Sequence, residues 1–204
     1  MTQKERQERS RAEILQAALE EFGSRDYDQV NMEGICARHG ISKGMMYHYY
    51  AGKDELFLLC VQDTFAQLRE YVEAEAQKLE NTEAPERIKR YFMLRECFFH
   101  AHPQRTRIFE TAILRPPAHL QAQIQELREP LRRLNEAFLG EITRSMPLRP
   151  GLNRAQVVRY LESAEPFFRN IALHYQAEAP QDLHAMLQAA GDVLDLALFV
   201  VFLP

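Results

Sequence analysis

From Ser42 to Lys53 the chain carries three tyrosines, two lysines, one histidine, one serine and no carboxylate. Such side chains donate hydrogen bonds and positive charge, which suits a surface that lies against a polyanion. Ser42 can cap a helix here, and the free N–H groups of that helix start can hold a phosphate, because they are unsatisfied donors at the positive end of the dipole. Lys43 adds charge or a base contact, Gly44 lets the backbone approach a groove floor, and Met45 offers an apolar surface to a thymine methyl. Met46 and Tyr50 are expected to turn inward onto Ile14, Leu19 and Ile35.

Other chemistry finds little support. No Gly-rich phosphate loop, His-Glu metalloprotease pair or nucleophile elbow occurs, so no catalytic residue is assigned. An enzyme assembled in space from scattered Cys, His and Glu is the remote alternative. Cys97 and His100 share a helical face, but His102 stands beside Pro103 and no fourth ligand accompanies them, so neither a metal nor another cofactor is expected. The three cysteines, Cys36, Cys60 and Cys97, match neither a disulfide framework nor a zinc motif.

The elements that must position the polar run read as helices throughout, and the fold class expected is all-α, with about nine helices. Ser10 can cap a first helix whose face of Ile14, Leu15, Ala18, Leu19 and Phe22 ends at Gly23. Asn31 caps a short helix carrying Met32, Ile35 and Cys36 that stops at His39-Gly40, and a third follows from Ser42 to about Tyr49. Lys53 opens a long fourth helix. Further helices are predicted over Ile88–Ala101, Arg105–Leu114 and Leu120–Met146, then from an Asn153 cap to near Tyr175, and over Leu183–Leu203.

Two short helices joined at Gly40-Ile41 and supported by a preceding helix have the layout of a helix-turn-helix, whose second helix enters the major groove. The series Ile14-Leu15-x-Ala17-Ala18-x-x-x-Phe22, then Gly40-Ile41-Ser42-Lys43-Gly44-x-x-Tyr47-x-Tyr49-Tyr50-x-x-Lys53-x-x-Leu56, closely resembles the TetR family over roughly residues 10–57. The resemblance implies that Asn31, Ser42, Tyr47, Tyr49 and Lys53 contact phosphates, while Lys43, Gly44, Met45 and His48 face base edges. Asn31 stands where threonine is more usual, Met45 where a small polar residue is, and Tyr50 where phenylalanine is, so the operator sequence does not follow from the family. The resemblance also implies a DNA-binding domain over residues 1–53 and a larger helical ligand-binding and dimerisation domain over 54–204.

Beyond Leu56 the residues speak alone. Phe92, Cys97, Phe98, Phe109 and Phe168 can line an apolar cavity, with His100, Asn170 and His174 to orient a ligand; each can equally be core or surface. The last two long helices end in more apolar surface than one face of a small monomer needs, which a homodimer interface would bury. The net charge of -4 argues against coating of nucleic acid by bulk attraction, and residues 1–53 hold eight Lys/Arg against eight Asp/Glu. Met1–Arg11 lacks the apolar run of a signal peptide, and Val193–Leu203 contains Asp195 and is shorter than the roughly 20 residues a bilayer span needs, so a cytoplasmic protein without membrane contact is expected. The reading is a repressor that binds a near-palindromic double-stranded DNA operator as a homodimer and is released by a small apolar or aromatic effector. An activator, or a regulator answering to a partner protein, is the alternative.

Overall fold

A computed structural model describes residues 2–163 and 183–202. Among them lie nine α-helices: α1 (Gln3–Ser24), α2 (Met32–His39), α3 (Lys43–Tyr49), α4 (Lys53–Gln77), α5 (Ala84–Ala101), α6 (Pro103–Leu114), α7 (Gln121–Ile142), α8 (Arg154–Ser163) and α9 (Leu183–Val201). No strand occurs among the described residues beyond an isolated bridge between Leu148 and Phe202. The all-α expectation holds.

Two compact units divide the chain, residues 1–67 with 102–128 and residues 68–101 with 129–204, so that the cuts fall inside α4 and α7 and between α5 and α6. In the first unit, α1 begins seven residues before Ser10. Thr2 and Glu5 form a reciprocal capping box, with bonds of 2.8 and 3.2 Å, which satisfies two N–H groups at the helix start. Ser10 therefore lies inside the helix. Gly23 does not end it either, since α1 continues to Ser24, whose hydroxyl donates to the Glu20 carbonyl at 2.7 Å. Gly23 instead marks the close packing of α1 on α6, where a Cβ would stand 2.5 Å from the Gln104 carbonyl oxygen. Helix α6 starts at Pro103, two residues before the expected Arg105, because proline needs no N–H partner in the first turn.

The core of this unit gathers Ile14, Ala18, Phe22, Ile35, Met46, Leu56 and Phe57, all nearly or fully buried. Phe22, Tyr27 and Phe57 pack their rings together, with centroids 5.0–6.2 Å apart.

In the second unit, α5 packs on α9, and Gly191 passes the Met93 methyl closely enough that a Cβ would meet it at 3.0 Å. Tyr91 stacks on Phe138 with centroids 3.6 Å apart. The Tyr91 hydroxyl and the Arg95 guanidinium both donate to Asn135 Oδ1, at 2.8 and 2.6 Å. Helix α7 ends at Ile142, short of Met146, in turns where the Thr143 hydroxyl bonds the Leu139 carbonyl at 2.6 Å. Asn153 caps α8 by exchanging hydrogen bonds with Gln156, at 2.9 and 3.0 Å.

Helix α9 is long and apolar enough, over His184–Val201, to cross a membrane by length and composition. This segment exceeds the Val193–Leu203 run because Met186, Leu187 and the alanines continue it toward the N-terminus. A core or interface helix of a water-soluble protein has the same composition, and Asp195 of α9 is paired with Lys89 at 2.9 Å.

Candidate nucleic-acid interface

The polar run becomes a surface through three local devices. Asn31 accepts the Gly34 N–H at 2.7 Å and starts α2. Gly40 then takes φ 66°, a left-handed conformation that costs a side-chain-bearing residue energy, and the Ile41 N–H turns back to the Cys36 carbonyl at 3.0 Å. Two residues later the Ser42 hydroxyl accepts the Met45 N–H at 3.1 Å and opens α3. The turn is thus completed in three residues.

Met46, 0 % exposed, fixes which face of α3 is inward, and Ile41 in the turn before α3 is buried too. Tyr50 is half-buried, so only part of the inward placement expected for it is reached. The opposite face leaves Ser42, Lys43, Gly44 and His48 exposed, Tyr47 47 % exposed, and Met45 half-buried at its edge.

Two candidates are more engaged than their sequence positions suggest. The Tyr49 ring lies 4.8 Å from that of His48, and the Arg11 guanidinium of α1 stands 5.4 Å from its centroid. Lys53, at the start of α4, donates to the Tyr27 carbonyl at 3.2 Å and sits 4.1 Å over the Tyr27 ring. The Tyr27 hydroxyl in turn donates to Asp54, which also meets His119 Nε2 at 2.8 Å. These bonds, the Tyr27 bond first, hold the Asp54 carboxyl below its usual range.

Sequence reasoning missed the groups that brace this surface. Buried Glu21 of α1 receives a two-pronged bond from Arg38 of α2 and approaches His39 Nε2 at 3.3 Å. The Arg38 bond chiefly, then His39, holds the Glu21 carboxyl down against the upward push of burial. It also missed Glu33, exposed in the first turn of α2, whose Oε1 accepts the Tyr47 hydroxyl at 2.9 Å. That bond raises the Tyr47 phenol above its ordinary value. Partners 14 and 17 residues apart leave no periodic signal; only the charge match of Glu20-Glu21 with Arg38-His39 was there to be read.

Of the eight ligand candidates, five lie among the described residues. Phe92 and Phe98 are buried on α5 and Cys97 is half-buried there, its thiol pushed up chiefly by burial, whereas His100 is exposed. Phe109 belongs to the first unit and packs edge-on against Phe65 at 5.9 Å. Phe168, Asn170 and His174 lie outside the described residues. Among the described residues no group of three His, Cys, Asp or Glu is placed to hold a metal ion.

Residues 14–60 match the model of the bacterial regulatory proteins of the tetR family. Among solved structures, the fatty acid degradation regulator FadR from Bacillus halodurans is similar at 15 % identity and TM-score 0.73, over 91 % of this chain and 94 % of that one. FadR from Bacillus subtilis, solved in complex with stearoyl-CoA, is similar at 17 % identity and TM-score 0.70, over 90 % and 96 %. A TetR family transcriptional regulator from Chloroflexus aurantiacus J-10-FL is similar at 20 % identity and TM-score 0.68, over 97 % and 95 %. Curated protein sequences give no match.

Proposed function

We propose, from the premise that this chain has the TetR-family transcriptional regulator fold and carries a tetR-family segment at residues 14–60, that it is a repressor binding operator DNA as a homodimer. The observation that carries the reading is α3 itself: an exposed face whose own residues include no carboxylate, opened by the Ser42 cap and fixed by the buried Met46. Ser42 and the α3 N–H groups, Asn31, Tyr47, Tyr49 and Lys53 hold phosphates, and Lys43, Gly44, Met45 and His48 read base edges. The functional boundary lies at residues 53 and 54.

Helix α9 supports the dimer. Leu196, Phe199 and Val200 lie at spacings of three and one on the helix, 68, 65 and 57 % exposed, and a second copy would cover them. A two-fold pair presents two recognition helices, which reach successive major grooves when they lie about 34–36 Å apart. The complex of the Bacillus subtilis FadR with stearoyl-CoA supports a small effector with a large apolar part, bound here by residues 54–204, that lowers operator affinity by shifting the dimer away from that separation.

Selection of bound duplexes from a random pool, followed by gel shifts at two salt concentrations, tests the reading. A two-fold symmetric site whose affinity falls with salt is expected. Folded protein that enriches no sequence would overturn it.

A further inference from the structure

One carboxylate does reach the exposed face of α3, and it comes from α2. Glu33 sits two residues after the Asn31 cap. Its Oε1 accepts the Tyr47 hydroxyl at 2.9 Å, and Lys43, one turn before Tyr47 on α3, acts on it electrostatically. Its carboxyl is held below the usual range, first by its own backbone N–H, then by Tyr47, then by Lys43. A helix N-terminus and a phenol together favour an anion, and here a side chain of the same molecule takes that place.

We propose that Glu33 is an internal stand-in for a DNA phosphate, a restraint on the binding surface that must give way when DNA arrives. The inference rests on the DNA-binding reading above and specifies how that surface is regulated. A phenol carries a single proton to donate, so Glu33 and a phosphate compete for Tyr47. A phosphate brought near the carboxylate also meets a like charge, which at about 4 Å in water changes a binding constant roughly fivefold. Because phosphates carry no sequence information, the restraint acts on every duplex alike. A purely structural Glu33, stabilising the α2 start through the dipole, has the opposite sign: its replacement would loosen α2 and weaken binding.

The test is fluorescence anisotropy of the full chain and its Glu33→Gln and Glu33→Asp variants, with a labelled duplex enriched by selection and a labelled random duplex, at low and high salt. Glu33→Gln is expected to bind both duplexes about fivefold more tightly at low salt, with the gain shrinking as salt rises. Glu33→Asp keeps the charge and is expected to show a smaller gain than Glu33→Gln. DNA binding by the natural chain that Glu33→Gln leaves unchanged or weakens would overturn the restraint alone, as would a gain confined to one sequence. Absence of binding by all three proteins would overturn the DNA-binding reading and this inference with it.

Discussion

Helices α3 and α9 each leave a broad face to solvent, and the two faces differ in kind. α3 is anchored by Met46 and presents a hydroxyl, an ammonium, a phenol and an imidazole; α9 is anchored by Met186, Ala190, Leu194, Ala197 and Leu198 and presents Leu196, Phe199 and Val200. Polar and cationic groups are well solvated and gain most from a charged partner, whereas large apolar side chains gain from any dry cover. The proposed function assigns a polyanion to the first face and a second copy of the chain to the second. Separate surfaces allow binding and assembly to be broken one at a time.

The largest effect is expected in the anchor of α3. Met46→Ala empties a fully buried position and should cost about 2–5 kcal/mol of unfolding free energy by urea denaturation; a cost under about 0.5 kcal/mol would place the anchor elsewhere. Next comes α9, where Phe199→Glu puts a charge on the apolar face without touching the buried one. Sedimentation velocity should show the dimer constant weakened by about 30-fold or more, as for a strong interface residue, and an unaltered dimer would remove α9 from the interface. On α3, Lys43→Ala should weaken operator binding about tenfold by gel shift and leave dimerisation intact, so equal affinity would break the assigned reading face.

The smallest effect concerns the brace beneath α3. Glu21 has its carboxyl held below the ordinary 4.5 by Arg38 and then His39, so its contribution is present above that value and is lost as pH falls through the depressed one. Glu21→Gln should therefore be less stable than the natural chain at neutral pH and lose less stability on acidification. Parallel acid denaturation curves for the two proteins would contradict this.

What the sequence made legible acts over short distances. Asn31, Gly40 and Ser42 each do their work within about four residues, so residue type and spacing suffice to place both caps and the turn. The start of α1 was equally local, since Thr2 and Glu5 have capping-box spacing, yet the later Ser10 stands closer to the first apolar stripe and drew the boundary. Glu21 with Arg38, Glu33 with Tyr47, and Tyr91 and Arg95 with Asn135 are joined by tertiary packing across 14 to 44 residues, and no periodicity records such pairs. The aromatics of α5 and α6 look alike in sequence, and only folding assigns Phe92 and Phe98 to one unit and Phe109 to the other.

Hydrogen exchange of the full chain with and without a selected duplex reads α3 and α9 in one experiment and so tests DNA binding through α3. Slowed exchange is expected at the N–H groups of Lys43–Tyr49 on adding DNA, with α9 unchanged. Protection that spares residues 42–49 and falls elsewhere would contradict it.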